Sequence, residues 1–89
     1  LGLDAAQMEQ VREVHVQAEK ARVRKQAEVR IAEIELREVM DAITTDRKKI
    51  HAQIDKVVKL RGDLQKLHVD EHLDVLLLDA ILQRQRHAQ

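Results

Sequence analysis

Five histidines are the residues of this chain whose side chains could do specific chemistry. The 89-residue sequence contains His15, His51, His68, His72 and His87, but no Cys and no Ser. His68 and His72 are four residues apart, so on a helix both imidazoles point the same way. Two imidazoles so placed can hold one metal ion, and imidazole suits Ni, Co, Zn and Cu alike. The same spacing is also typical of amphipathic residues on a polar helix.

The scarcity of helix-breaking residues predicts the elements that must position these side chains. The chain has two Gly and no Pro. We predict an all-α fold with one domain, in which a helix over about 4–43 and a helix over about 47–86 are joined by a turn at about 44–46. Two long helices joined by about three residues must run antiparallel, as a hairpin. Gly62 lies inside the second helix, where it permits a bend or a close helix approach.

The helix ends and the apolar stripes follow from residue type and spacing. Asp4 is the expected N-cap of the first helix, and Thr44 or Thr45 that of the second. At about 100° per residue, apolar positions of each helix fall on one face. The predicted stripe of the first helix is Val29, Ala32, Leu36, Val39, Met40 and Ile43, with Met8, Val11, His15, Ala18, Arg22 and Lys25 before it. That of the second helix is Ile50, Ile54, Val57, Arg61, Leu64, His68, either His72 or Glu71, Val75 and Leu78.

Hairpin geometry brings a third histidine towards the pair. With the turn centred near residue 45, His15 lies opposite Val75 and His72 opposite Ala18. The two histidines then differ by about 4.5 Å along the axis, and packed helices lie about 8–10 Å apart. We therefore predict a metal site formed by His15, His68 and His72, although buried neutral histidines would give the same pattern.

Two basic residues, Arg22 and Lys25, fall on the same inner stripe as His15. Three arrangements are expected for them: their alkyl stems pack between the helices while the charged groups reach solvent, they pair with Asp63 or Glu71, or they line a concave basic surface.

Composition excludes several classes of function. The chain has no Phe, Tyr or Trp and a formal net charge of zero, so it lacks the stacking surface and the electrostatic attraction of a nucleic-acid-binding protein. Its only hydroxyl side chains are Thr44 and Thr45, and it has no Gly-rich phosphate loop, so we expect no enzyme activity. The longest aliphatic run, 75–78, is far shorter than the roughly 20 residues of a membrane-spanning helix.

A second apolar surface predicts a partner. Ile31 and Ile34 project on the face opposite the main stripe, and the run 75–78 is apolar on every side of its helix. A core of aliphatic residues alone buries little area in so short a chain. We therefore predict a homodimer that completes its core at an apolar face.

Short motifs resemble one known family. The opening Leu3-Asp4-Ala5-Ala6-Gln7 resembles the L-[ST]-x-x-Q signature of the Spy/CpxP-like periplasmic proteins, with Asp4 in place of Thr or Ser. The long charged helix, the Ala42-Ile43 ending and Gly62-Asp63-Leu64-Gln65 more specifically resemble the CnrX-type heavy-metal-resistance sensor branch. A second signature closes the family domain, and here Leu82 stands where its Gln is expected.

The resemblance implies a hook-like helical dimer in the periplasm that senses metal with a membrane-bound signalling partner, or that binds unfolded clients as a chaperone. Counting from the opening motif, His15 falls on an early-helix ligand that is Glu in the sensor branch. The late ligand pair corresponds either to His68 and His72 or, in the register of Gly62-Asp63-Leu64-Gln65, to Glu71 and Val75.

From the residues and the resemblance together we predict a periplasmic, metal-responsive binding protein. Two alternatives stay open: an ATP-independent chaperone without metal, and a plain helical oligomerisation module.

Overall fold

A computed structural model describes residues 4–87, which form two long helices in an antiparallel hairpin. Helix α1 spans Ala5–Met40 and helix α2 spans Arg47–His87. The molecule measures 70 × 19 × 12 Å, and its radius of gyration is 20.1 Å, whereas a compact domain of this length would have about 12 Å. The predicted all-α hairpin is confirmed. Across the described range, neither helix is long and apolar enough to cross a membrane.

The start of α1 is fixed by a reciprocal cap. The Asp4 carboxylate accepts a hydrogen bond from the Gln7 backbone N–H at 2.7 Å, and the Gln7 side chain accepts one from the Asp4 N–H at 3.0 Å. This arrangement satisfies two N–H groups that have no partner within the helix. The prediction that Asp4 is the N-cap is confirmed.

The connection between the helices is longer than the predicted turn at 44–46. Helix α1 ends at Met40, not near residue 43, and the Asp41 N–H closes it by donating to the Arg37 carbonyl at 2.9 Å. The residues that follow include the β-branched run Ile43-Thr44-Thr45, which favours helix poorly because its χ1 angles are restricted. The Asp46 carboxylate, rather than Thr44 or Thr45, accepts from the Lys49 N–H at 3.2 Å and caps α2.

The core lies in the half of the hairpin nearest the connection. Across 4–87, the buried hydrophobic residues are Val29, Ala32 and Val57. Two cross-helix contacts of side chains flank them: the Gln53 amide donates to the Ala32 carbonyl at 2.9 Å, and Arg61 donates to Glu33 at 2.9 Å. We call the contact surface between α1 and α2 the seam. On either side of the buried core it consists of half-buried residues: Val11, Ala18, Leu36 and Val39 of α1, and Ile50, Leu60, Leu64, Leu67, Leu78 and Leu82 of α2.

The predicted stripe is right for most of α1 and displaced on α2. Val29, Ala32, Leu36 and Val39 face the seam as predicted, whereas Met40 and Ile43 are exposed. On α2, four predicted residues face the seam: Ile50, Val57, Leu64 and Leu78. Leu60 and Leu67 join them there, and the remaining predicted apolar, basic and histidine positions are exposed: Ile54, Arg61, His68, His72 and Val75.

Gly62 interrupts neither the helix nor the hairpin contact. Helix α2 is continuous through it. A Cβ atom built on Gly62 would meet no atom within 4 Å, so its small size is not required for the packing of α1 on α2.

Candidate functional site

The three histidines of the predicted metal site lie at the surface rather than between the helices. His15, His68 and His72 are all exposed. The placement on the inner stripe was wrong for all three. On α2, Leu60 and Leu67 take the seam, which leaves His68 and His72 exposed, and on α1 His15 is exposed whereas Val11 and Ala18 are half-buried. His51 and His87 are also exposed.

Glu71, the fourth predicted ligand, faces the other helix. Its carboxylate lies 3.8 Å from the Arg22 guanidinium, and both side chains are about one-third exposed. This ion pair was one of the predicted alternatives for Arg22. In residues 4–87 no group of three or more His, Asp or Glu side chains is arranged to hold a metal ion. What the fold keeps of the predicted site is the pair His68 and His72 on successive turns of α2.

The middle of the hairpin seam is charged. Lys25 donates to Glu28 at 2.9 Å on its own helix, and this hydrogen bond, with the charges of Glu28 and Asp63, raises the pKa of Lys25. On α2, Lys59 donates to Asp63 at 3.1 Å. That hydrogen bond and the neighbouring positive charges lower the pKa of the Asp63 carboxyl.

The charged middle is imperfectly satisfied. Within the described chain, the buried Arg22 Nε has no hydrogen-bond partner, and neither does the Gln85 Oε1 nearer the open end of the hairpin. A buried polar atom without a partner costs about 1–3 kcal/mol. The seam therefore stabilises the hairpin less towards its open end than near the connection.

An apolar cleft lies at the open end, where the two helices present their first and last turns. It encloses about 430 Å³. Its walls are mostly aliphatic: Val11 and Val14 of α1, with Leu77, Leu78, Ile81 and Leu82 of α2, beside Gln7, Gln10 and Asp74. A concave apolar surface of this kind fits an apolar side chain or a helix of a partner.

A second apolar surface runs along α2 on the side facing away from α1. We define the outer stripe as Val58, Gly62, Val69, Leu73 and Leu76. At about 100° per residue these positions lie within about 60° of one another and roughly opposite the seam leucines. Val69, Leu73 and Leu76 are each about half exposed, and Val58 is 61% exposed.

Helix α1 also carries apolar residues on its far side. Val23, Ile31 and Ile34 are exposed there, as predicted for Ile31 and Ile34. The outer stripe of α2 was not predicted, although the spacing of Val69, Leu73 and Leu76 is a helical signal in the sequence.

The total surface gives the scale of this exposure. The accessible surface is 7405 Å² for a chain of 10.3 kDa. A compact monomer of that mass exposes about 5,400 Å². The hairpin thus leaves roughly 2,000 Å² more in water than a compact fold would.

Comparisons with models of protein families, with curated proteins and with solved structures find no match.

Proposed function

We propose that this chain is a helical assembly module, whose hairpin completes its hydrophobic core by packing against another helical surface. The observation that carries the proposal is the surface excess of roughly 2,000 Å² over a compact monomer. Obligate interfaces bury about 2,000–5,000 Å² in total, or about half of that on each partner. The excess is therefore of the size that such an association removes from water.

The distribution of apolar residues supports the same function. The buried core of the described chain is Val29, Ala32 and Val57, which is little for two helices of 36 and 41 residues. Aliphatic side chains stay half exposed on three surfaces: the open-end cleft, the outer stripe of α2 and the far side of α1. Exposed apolar surface rimmed by polar residues is typical of interaction sites in soluble proteins.

Sedimentation velocity over low to high micromolar protein concentrations tests this proposal. We expect the wild-type chain to sediment as a species larger than a monomer, and Leu73→Glu to shift it towards monomer because a carboxylate would be buried in the contact. Ala52→Glu is the matched control, since Ala52 is exposed on the same helix away from the outer stripe.

A wild-type chain that stays monomeric and fully helical at every concentration would contradict an assembly function. If that monomer also prevented an unfolded protein from aggregating, the chaperone alternative would replace it.

The second candidate is a metal-responsive binding protein, and the exposed pair His68 and His72 favours it. Neutral imidazoles on successive helical turns supply two nitrogen ligands to one divalent ion. Four-coordinate zinc needs two more ligands, which in this reading come from water or from another molecule.

Calorimetric titration with Zn²⁺, Ni²⁺ and Co²⁺ tests the metal function. We expect binding by the wild-type chain and by the His51→Ala/His87→Ala control, and its loss in His68→Ala/His72→Ala. His15→Ala should bind like wild type if the pair acts without His15. Equal binding by the pair variant and the control would refute metal binding at the pair.

A further inference from the structure

We propose that the outer stripe of α2 binds a second copy of this chain, with the two α2 helices antiparallel about a twofold axis at Val69. This inference rests on the proposed assembly function and specifies its partner and its geometry. The sequence expectation placed the partner face around Ile31 and Ile34 and the run 75–78, of which only Leu76 belongs to the outer stripe.

The outer stripe has the spacing of a helix-packing seam. Its positions after Gly62 follow at intervals of seven, four and three residues, which keeps them on one side of α2. Knobs-into-holes packing uses this alternation of three and four. Because this side faces away from α1, another helix can lie along it without disturbing the hairpin.

Gly62 makes a groove within this surface. The groove encloses about 330 Å³ and is lined by Gly62, Gln65, Lys66, Val69 and Asp70. A side chain at position 62 would project into open space, since a Cβ there meets nothing within 4 Å. The absence of a side chain is therefore a feature of the outer surface, where it admits a knob from a partner.

A twofold axis at Val69 brings a suitable knob to that groove. Gly62 lies seven residues before Val69 and Leu76 lies seven after it, so each Gly62 faces Leu76 of the other copy. A twofold contact is self-complementary, because residue i meets residue j and residue j meets residue i. The single groove and the half-exposed Leu76 thus form two identical contacts.

The charged residues that flank the outer stripe are compatible with antiparallel pairing about an axis at Val69. Asp55 and Arg84 lie on the same flank of α2. The axis places Asp55 of one copy within about one residue, roughly 1.5 Å along the helix, of Arg84 of the other copy. Nearer the axis, the two Asp70 carboxylates approach each other, and Lys66 of the opposite copy flanks each of them. Opposite charges across an interface fix its register.

The area also suits a second copy. A standard interface buries about 800 Å² per partner, well within the hairpin's excess surface. A contact along α2 leaves the open-end cleft and the far side of α1 uncovered, so those surfaces remain available to other partners.

Cysteine cross-linking tests the geometry, because the chain has no Cys of its own. Under mild oxidation, Val69→Cys should form a disulfide-linked dimer at least tenfold faster than Val58→Cys or Ile31→Cys. The two copies of position 69 meet at the axis, whereas the two copies of position 58 are separated by about 33 Å along it. A mixture of Val58→Cys and Ala80→Cys should cross-link, since those positions face each other.

Rapid cross-linking of Val58→Cys alone would indicate parallel helices, and rapid cross-linking of Ile31→Cys would move the interface to α1. Either result overturns this inference while leaving the assembly function intact. A monomeric wild-type chain in sedimentation would instead overturn both.

Filling the groove gives a second measurement. Gly62→Leu should weaken self-association at least tenfold in sedimentation equilibrium, whereas the Ala52→Leu control should leave it unchanged. Circular dichroism should show both variants to be as helical as wild type. Unchanged association of a helical Gly62→Leu variant would refute the packing of Leu76 into the groove.

Discussion

Replacing Val57 by Ala probes how much the small core contributes to the free energy of unfolding. Val57 is 4% exposed. Its truncation removes two buried methyl groups, each contributing about 0.8 kcal/mol, and adds the cost of a cavity. Alanine restores about 0.5 kcal/mol of helix propensity. We expect a net loss of about 1–2 kcal/mol.

The neighbouring residue provides a matched control. Val58 undergoes the same chemical change on the same helix with the same gain in propensity, but it is 61% exposed. The methyl groups lost there contribute only about 0.6 kcal/mol, which the propensity gain nearly cancels. We expect Val58→Ala to leave the free energy of unfolding within about 0.5 kcal/mol of wild type.

Thermal unfolding followed by circular dichroism separates the two variants. For a chain of this size, 1 kcal/mol corresponds to about 4–8 °C in the melting temperature. Val57→Ala should melt about 4–16 °C below wild type, and Val58→Ala within about 3 °C of it. The comparison belongs at concentrations too low for association, because Val58 lies on the outer stripe. Equal melting temperatures for the two variants would refute a core centred on Val57.

Three further changes give distinct outcomes. Gly62→Ala should raise the free energy of unfolding of the dilute monomer by about 0.8–1.0 kcal/mol in urea, because its Cβ enters open space. A lower free energy of unfolding would show that the Cβ atom strains the helix. Gln53→Met removes the hydrogen bond to the Ala32 carbonyl and should lower the free energy of unfolding by about 1 kcal/mol, whereas Gln26→Met at an exposed site should be neutral. The pKa of Asp63 is lowered chiefly by its hydrogen bond with Lys59. Ionised Asp63 therefore adds to the free energy of unfolding above its unfolded pKa of about 3.9, and this contribution is lost as pH falls through its folded pKa. Stability measured from pH 6 to pH 2 should therefore fall less steeply for Asp63→Asn, and identical slopes would exclude Asp63 as a source of the pH dependence.

The hairpin could be predicted because the signals that produce it are local. Asp4 caps α1 through Gln7, three residues away, and the stripe at Val29, Ala32 and Leu36 repeats at helical spacing. Such patterns depend on short-range geometry, which the sequence carries directly. The length of the connection was underestimated because Thr44 and Thr45 resemble caps, whereas Asp46 is the residue that caps α2.

The face that α2 turns to α1 could not be predicted in the same way. Leucine and valine occur around most of this helix, so more than one stripe fits a period of 3.6 residues. The prediction placed Ile54 and His68 on the inner side, whereas Leu60 and Leu67 face α1 and put aliphatic side chains where an imidazole was expected. Because the predicted site required His68 and His72 on the inner side, a rotation of α2 by less than one residue was enough to turn both towards solvent.

The position of the core near the connection also determines how the hairpin opens. Val29, Ala32 and Val57 hold the two helices together close to the loop, whereas the described residues beyond Arg22 and Glu71 contribute no buried side chain. The helices should therefore separate first at the open end, in a partial unfolding that leaves the loop half intact. Amide hydrogen exchange should be slowest in the helical turns around Val29, Ala32 and Val57, and progressively faster along each helix towards the open end of the hairpin. Folding should follow the reverse order, with the contacts of shortest sequence separation forming first.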